Sequence, residues 1–147
     1  MKPLVRNVKP EDAQVVKTFI KDHMVRNYPE IPYARLKEKA ESDIVKHCSE
    51  PTSFVLELDG KVIGYLGMSI DTDRYSRQTT GVLHMIHIAE PFRGKRYSHI
   101  LMDKADEFFD QHNVAFREIS VNANNEAAIE LYKKHGYKLW RCTFKKV

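Results

Sequence analysis

Long apolar runs are missing from this sequence. No stretch approaches the roughly 20 consecutive apolar residues that a membrane-spanning helix needs. The opening residues 1–6 also lack the apolar core of a secretory signal. We therefore expect a cytoplasmic protein that has no membrane partner.

Cysteines, flexible linkers and repeats are scarce or missing as well. The two cysteines, Cys48 and Cys142, have neither the density of a disulfide scaffold nor the paired spacing of a zinc site. We expect both to be reduced thiols, and we expect no metal. Because no segment is rich in Gly, Pro or Ser and no repeat is visible, the sequence predicts a single domain over residues 1–147.

The charge balance excludes little by itself. Lysine and arginine number 24 against 20 acidic residues, so the formal net charge is +4 and favours anionic partners only mildly. Nucleic acid fits this charge, but the lysines are dispersed and no strand shows the closely spaced aromatic residues of a stacking platform. We therefore rank a nucleic-acid binder last. The tightest basic cluster that no helix face explains is Arg93-Gly94-Lys95-Arg96.

Hydrophobic periodicity divides the chain into strands and helices. Asp59-Gly60 predicts a hairpin turn because it tolerates positive φ, and Gly136 is the expected stop of the last helix. The predicted strands cover residues 4–8, 53–58, 61–70, 80–88, 118–121 and 138–146, and the predicted helices cover about 9–28, 33–47, 97–111 and 125–135. Because a helix links the strands at 80–88 and 118–121, these two should run parallel in an α/β fold.

Two motifs carry chemical information. In the first, a strand ending at Ile86-His87-Ile88 passes through a basic turn into a helix, whose free N–H groups can bind a pyrophosphate; a solvated turn is the alternative. The second is the helix that starts at Asn125, a residue expected to cap it, with Tyr132 on its apolar face. A capped amphipathic helix with a partly buried tyrosine explains that pattern without any function.

The second motif, Asn125-x-x-Ala128-Ile129-x-Leu131-Tyr132-x-x-x-Gly136-Tyr137, resembles the C-terminal signature of the GNAT N-acetyltransferases. The resemblance extends over nearly the whole chain. It implies a mixed, mostly antiparallel sheet with splayed parallel central strands and helices on both faces. It also implies that acetyl-CoA is the cosubstrate, bound by Ile86, His87, Ile88, Arg93, Gly94, Lys95, Arg96, Tyr97, Ser98, His99, Asn125 and Tyr132.

The basic turn departs from the family pattern. The family loop usually follows Q/R-x-x-G-x-G/A, whereas Arg96 and Ser98 stand at both glycine positions here. Serine is small enough to let a phosphate approach its N–H, but Arg96 adds bulk where glycine tolerates any backbone conformation. An Arg96 side chain that turns outward adds charge for the diphosphate.

The resemblance also implies a mechanism for acetyl transfer to an amine. Tyr132 would be the general acid, and a backbone N–H near Ile88 would bind the carbonyl oxygen. His84 is the preferred base, since alternation gives it the same strand parity as Ile86 and Ile88; His87 and Glu118 are further candidates. A structural, hydrogen-bonded role for His84 stays open. Ser120 stands where peptide-acetylating relatives carry glutamate, which argues against ribosomal-protein substrates.

The alternative function is a non-catalytic module that binds acyl-CoA or serves as a scaffold, and the missing loop glycines favour it. The sequence leaves the amine acceptor open, from small amines to protein N-termini. Its pocket is expected beside Tyr28, Tyr33, Asp71 and Asp73. A homodimer is a further expectation, because dimers are common in families of this size.

Overall fold

A computed structural model describes residues 2–39, 42 and 51–146, and its centre is a five-stranded sheet. Strands β1 to β4 are antiparallel neighbours, and β5 runs parallel to β4. The strands are β1 (Leu4–Asn7), β2 (Ser53–Leu58), β3 (Lys61–Thr72), β4 (Thr79–Ile88) and β5 (Phe116–Ile119). This confirms the predicted mixed, mostly antiparallel sheet and its parallel strand pair.

The helices follow the predicted order. They are α1 (Ala13–Asn27), α2 (described over residues 33–39), α3 (Tyr97–Gln111) and α4 (Glu126–Lys134), with 3-10 turns at Pro10–Asp12 and Glu90–Phe92. Most of the rest of the helix predicted for residues 33–47 lies outside the described residues. Within the described ranges, no helix combines the length and apolar character that crossing a membrane requires.

Helices cover both faces of the sheet. On one face α3 and α4 pack on the sheet, and Leu101, Met102 and Phe109 of α3 are fully buried there. On the other face α1 inserts Val16, Phe19 and Ile20 against Val55 of β2, Tyr65 of β3 and Met85 of β4. Neighbouring residues of β2 alternate between the two clusters, as the two-residue period of a strand requires.

Turn residues end the elements where the sequence predicts. Asp59 and Gly60 have φ of 52° and 79°, which suits the tight hairpin between β2 and β3. Gly136 has φ of 88° directly after α4, and the N–H of Tyr137 donates to the carbonyl of Tyr132 at 3.0 Å. This left-handed residue after the last turn is the usual helix stop.

The predicted closing strand at residues 138–146 is wrong. The described part of this segment has no strand geometry, and its large apolar side chains are exposed: Leu139 by 82%, Trp140 by 69% and Phe144 by 98%. The predicted strand near 118–121 forms earlier, at Phe116–Ile119. An extended segment becomes a strand only by pairing its backbone with a neighbour. The segment 138–146 instead contacts α1's C-terminal side through Lys145, which forms an ion pair with Glu30 at 2.7 Å.

Gly81 lies too close to the Phe109 ring of α3 to accept a side chain without strain. A Cβ on Gly81 would lie 2.5 Å from the Cδ1 atom of the Phe109 ring, which is fully buried. We expect Gly81→Ala to lower the free energy of unfolding by about 1–3 kcal/mol in urea titrations. Phe109→Leu should rescue part of this loss in the double variant, because the smaller side chain leaves room for the new methyl group. Strictly additive losses would contradict the proposed clash.

Candidate active site

A cleft opens where β4 and β5 part. The two strands pair only over four positions, from Thr80 opposite Phe116 to Leu83 opposite Ile119, although β4 continues to Ile88. The divergence leaves a cleft of about 750 Å³. Its walls are residues 84–88 of β4, the turn before α3, the segment after β5 and the inner side of α4. This is the splayed parallel pair that the family resemblance implies.

The cleft brings together most of the predicted site residues. Those that line it are His84, Ile86, His87, Ile88, Arg93, Gly94, Arg96, Tyr97, Ser98, His99, Asn125 and Tyr132. Lys95 is not among the lining residues, and its Nζ lies 5.9 Å from the centre of the Phe92 ring. Ser120 lines the cleft, whereas the alternative base Glu118 does not. Outside the lining lie also the residues predicted for the acceptor wall, Tyr28, Tyr33, Asp71 and Asp73.

Arg93 is occupied by structural contacts. Its Nε donates to the carbonyl of Ile88 at 2.8 Å, and its Nη2 donates to Asp22 of α1 at 3.1 Å. The guanidinium therefore connects the end of β4 to the helix on the opposite wall. This role differs from the anion contact that the sequence predicts, although the side chain still borders the cleft.

Arg96 holds a strained backbone conformation at the start of α3. It is the residue that caps this helix, its φ is 65°, and it makes no capping hydrogen bond through its side chain. A non-glycine residue in the left-handed region costs about 1 kcal/mol or more. The N–H groups of Tyr97 and Ser98, the first two residues of α3, have no partner within the helix, whereas the His99 N–H donates to the Arg96 carbonyl at 3.1 Å. These residues line the cleft together with Gly94, whose φ is 75°. The turn can thus bind an anion.

Tyr132 places a phenol in the cleft. Its side chain is only 8% exposed, and the Tyr137 ring packs edge-on against it at 6.3 Å between ring centres. Burial, with a smaller effect of Tyr137, raises the pKa of Tyr132 to about 12. The hydroxyl therefore keeps its proton at every physiological pH and is a donor to whatever enters the cleft.

Asn125 performs the predicted capping role. Its side-chain oxygen accepts a hydrogen bond from the Ala128 N–H at 3.2 Å at the start of α4. The cap fixes the direction in which α4 leaves the loop after β5. It thereby contributes to the position of Tyr132 two turns later.

A β-bulge changes the setting of His84. Gly67 pairs with Met85 and Met68 pairs with Leu83, so His84 is the extra residue of β4 at this point. The bulge breaks the alternation on which the predicted parity of His84 with Ile86 and Ile88 depended. The ring is exposed at the cleft, and its Nε2 lies 2.6 Å from the Ser69 hydroxyl. Bulges often re-aim a side chain beside a functional site.

His87 faces the α1 side of the sheet. It is 7% exposed, and its ring lies 4.9 Å from that of Phe19. Burial lowers the pKa of His87 to about 4, and this effect exceeds the opposing attraction of Asp22, whose carboxylate is 3.6 Å from Nε2. The imidazole is therefore neutral at pH 7. Its surroundings suit a packed side chain better than a proton carrier.

Residues of α1 also line the cleft, and the sequence did not predict them. His23 and Arg26 border it, and Asn27 is bound across it by the Asn122 amide, at 3.0 Å from Asn27 Oδ1 and 3.3 Å from its carbonyl. This contact joins the end of α1 to the segment after β5. The polar face of α1 gave no signal that distinguishes cleft-lining residues from solvated ones.

Comparison with known proteins agrees with the family resemblance of the sequence. The family described as "Acetyltransferase (GNAT) family" matches residues 18–137. An uncharacterised N-acetyltransferase of Methanocaldococcus jannaschii is 28% identical over 86 residues, a match that covers 58% of this chain and 38% of that protein. The chain therefore spans well under half of this curated relative.

Solved structures share the fold at low sequence identity. A putative acetyl transferase from Pyrococcus furiosus superposes with a TM-score of 0.76 at 18% identity, and 99% of each chain is covered. AAC(6′)-Iy, in complex with the bisubstrate analogue CoA-S-monomethyl-acetylneamine, gives a TM-score of 0.77 at 14% identity, with 100% of this chain and 99% of that chain covered.

The strain at Arg96 predicts an unusual gain in stability. Arg96→Gly should raise the free energy of unfolding by about 1 kcal/mol, because glycine adopts positive φ without steric cost. The neighbouring Lys95→Gly variant is the control: φ of Lys95 is not positive, so glycine there should lower stability by about 0.5–1 kcal/mol. Chemical denaturation measures both changes. Equal losses in the two variants would contradict the assigned strain.

Proposed function

The chain belongs to the acetyltransferase (GNAT) family, and we propose that it transfers the acetyl group of acetyl-CoA to a primary amine by direct attack in a ternary complex. The observation that carries this proposal is the cleft between β4 and β5, which has a basic turn at one wall and a protonated phenol at another. The cleft supplies an extended edge for a long ligand, an anion site and a proton donor, and acetyl transfer needs all three.

The chain's own groups fit the cosubstrate. Among the described residues, the edge of β4 that faces β5 has no strand partner beyond Leu83, so the amide groups of a pantetheine arm would run along Ile86, His87 and Ile88. The Ile88 carbonyl already accepts from Arg93, which leaves the remaining backbone groups of this edge for the ligand. The N–H groups of residues 94–98 would hold the diphosphate, and nothing lies within 4 Å of where a Cβ on Gly94 would stand. Arg96 and Lys134 line the same region and add donors and positive charge, and the imidazole of His99 lies beside them.

Tyr132 is the proposed general acid. A direct transfer releases a thiolate, and the phenol is protonated and belongs to a nearly buried residue that lines the cleft. Donation of a hydrogen bond to the sulfur stabilises the leaving group as its charge develops. A backbone N–H near Ile88 is the proposed partner of the carbonyl oxygen, because this part of β4 is free of β5.

His84 is the proposed general base. It lies at the bulge of β4, its ring borders the cleft, and the Ser69 hydroxyl fixes its orientation at 2.6 Å. An amine reaches the cleft mostly as an ammonium ion and must lose a proton before it attacks. His87, the other candidate on β4, is buried against Phe19 and does not compete for this role.

A non-catalytic acyl-CoA-binding or scaffold module of the same fold is the second candidate. One observation favours it: Arg96 occupies the left-handed position where the turn would accept glycine without strain. Such a module would bind acetyl-CoA, or have lost it, and would not release CoA in the presence of amines. The two candidates therefore differ in turnover and not in fold.

We expect Tyr132→Phe to lower kcat by about 10²–10³-fold while acetyl-CoA binding changes less than about threefold. The phenyl ring keeps the packing but removes the donor. Calorimetry gives the Kd of acetyl-CoA, and release of free CoA with a panel of small amines gives kcat under conditions where chemistry limits the rate.

Tyr137→Phe is the matched control, because its hydroxyl is buried without a protein partner among the described residues and Tyr137 does not line the cleft. It should change kcat less than about threefold. No heat with acetyl-CoA at millimolar concentration would overturn the enzyme proposal, whereas an unchanged kcat in Tyr132→Phe would overturn only the role of Tyr132.

His84→Gln should reduce activity more at about pH 6.5 than at about pH 9, since a larger fraction of the amine is already neutral at the higher pH. We expect a loss of about 10–100-fold at the lower pH and less than about threefold at the higher. Ser69→Ala keeps the imidazole but removes the 2.6 Å contact that orients it, so we expect a smaller loss with the same pH dependence. A loss of equal size at both pH values would show a structural role.

A further inference from the structure

Outside the cleft, three potential metal ligands converge between α3 and the end of α4. Within the described ranges, one group of three His, Cys, Asp or Glu side chains brings its ligand atoms within 4.8 Å of one another: Asp103, Asp106 and His135. We propose that these residues form a binding site for a divalent transition metal of the Zn²⁺ class. The proposal does not depend on acetyl transfer, although His99, which contacts His135, also lines the cleft.

The spacing at His135 fits a shared cation better than direct hydrogen bonds. Its Nδ1 lies 3.5 Å from Asp106 Oδ2 and 3.9 Å from Asp103 Oδ1. Two ligands on one tetrahedral Zn²⁺, with bonds of about 2.0–2.1 Å, stand about 3.3–3.4 Å apart. All three ligand atoms lie within 4.8 Å of one another, and the Asp103 side chain, which is 76% exposed, has room to rotate towards this spacing. Solvent has access to the fourth position.

The imidazole is already oriented for metal binding. The His135 side chain is only 11% exposed, and its Nε2 lies 3.0 Å from Nδ1 of His99. If Nε2 carries the proton and donates to His99, the lone pair of Nδ1 points to the two carboxylates. A second hydrogen bond of this kind fixes the tautomer of most histidines that bind metals in proteins.

Asp106 is oriented in the same way. Arg117 donates to its Oδ1 at 3.0 Å, so the other oxygen, Oδ2, is the one that faces His135. Arg117 is shared with Asp110, which takes its second nitrogen. Two aspartates of α3, Asp106 and Asp110, therefore share a single arginine, and Asp103 adds a third carboxylate beside Asp106 and His135, which favours a cation there.

Sequence spacing could not reveal this site. Asp103 and Asp106 stand three residues apart on one face of α3, a common surface pattern, whereas His135 comes from the end of α4. The expectation of no metal rests on the number and spacing of the cysteines. That argument does not apply to a site made of carboxylates and a histidine. A metal here would tie α3 to α4 three residues after Tyr132, and would therefore stabilise the fold.

The test is metal binding by the full chain after chelator treatment and removal of any histidine tag. Calorimetry with Zn²⁺ should show one site per chain, and Zn²⁺ should raise the Tm reversibly on addition and removal of EDTA. Co²⁺ should give the visible absorption of a low-coordinate histidine and carboxylate site. His135→Gln and Asp103→Asn should each weaken binding at least about tenfold, and His99→Phe should weaken it about 10-fold through loss of orientation.

His112→Gln is the matched control, because His112 directly follows α3 but is exposed, its Nδ1 lies 2.8 Å from the Phe108 carbonyl, and it belongs to no cluster of three potential metal ligands among the described residues. It should bind Zn²⁺ as the wild type does. Asp103 is exposed, so Asp103→Asn remains informative even where His135→Gln disturbs folding. The proposal is overturned if the wild type binds no Zn²⁺ below about 1 mM, or if the Asp103 and His135 variants bind it unchanged.

Discussion

The early end of the parallel pairing between β4 and β5 is the constraint on which the rest of the structure depends. The two strands share only four paired positions, while β3 holds β4 along its whole length. The second half of β4 therefore keeps a rigid position but loses its neighbour on one side. An unpaired edge inside a sheet normally has to be covered or filled. Here α4, the turn before α3 and the end of α1 surround it and leave a cleft.

The charged residues at this cleft show how structure and binding compete for the same side chains. Asp22 receives Arg93 at 3.1 Å and lies 3.6 Å from His87, so one carboxylate of α1 fixes two residues of the opposite wall. Arg93 also holds the carbonyl of Ile88. The anion binding that we propose for this turn then depends on backbone N–H groups and on Arg96. Arg96 therefore keeps its strained backbone conformation in a turn where Arg93 already has a structural role.

Most of the fold could be predicted from local patterns, because those patterns have local causes. Apolar spacing located α3, and the Asp59-Gly60 turn fixed the hairpin of β2 and β3 at its observed ends. Residues 138–146 have the composition of a strand, but a strand also requires a neighbour, which composition does not report. The bulge at His84 was equally invisible, since an inserted residue leaves no trace in a two-residue period. The contact of Asp22 with Arg93 joins residues 71 positions apart.

The surroundings of Tyr132 also determine how it can help the reaction that we propose. Burial raises its pKa to about 12, whereas an ordinary thiol has a pKa of about 8.5. Complete proton transfer from this phenol to a thiolate is therefore unfavourable by about 3.5 pKa units, or about 5 kcal/mol. The amine, which becomes a far stronger acid once it has attacked the carbonyl, is the better ultimate source of the proton. The same burial that weakens Tyr132 as an acid keeps it protonated, so its contribution is a hydrogen bond to the departing sulfur.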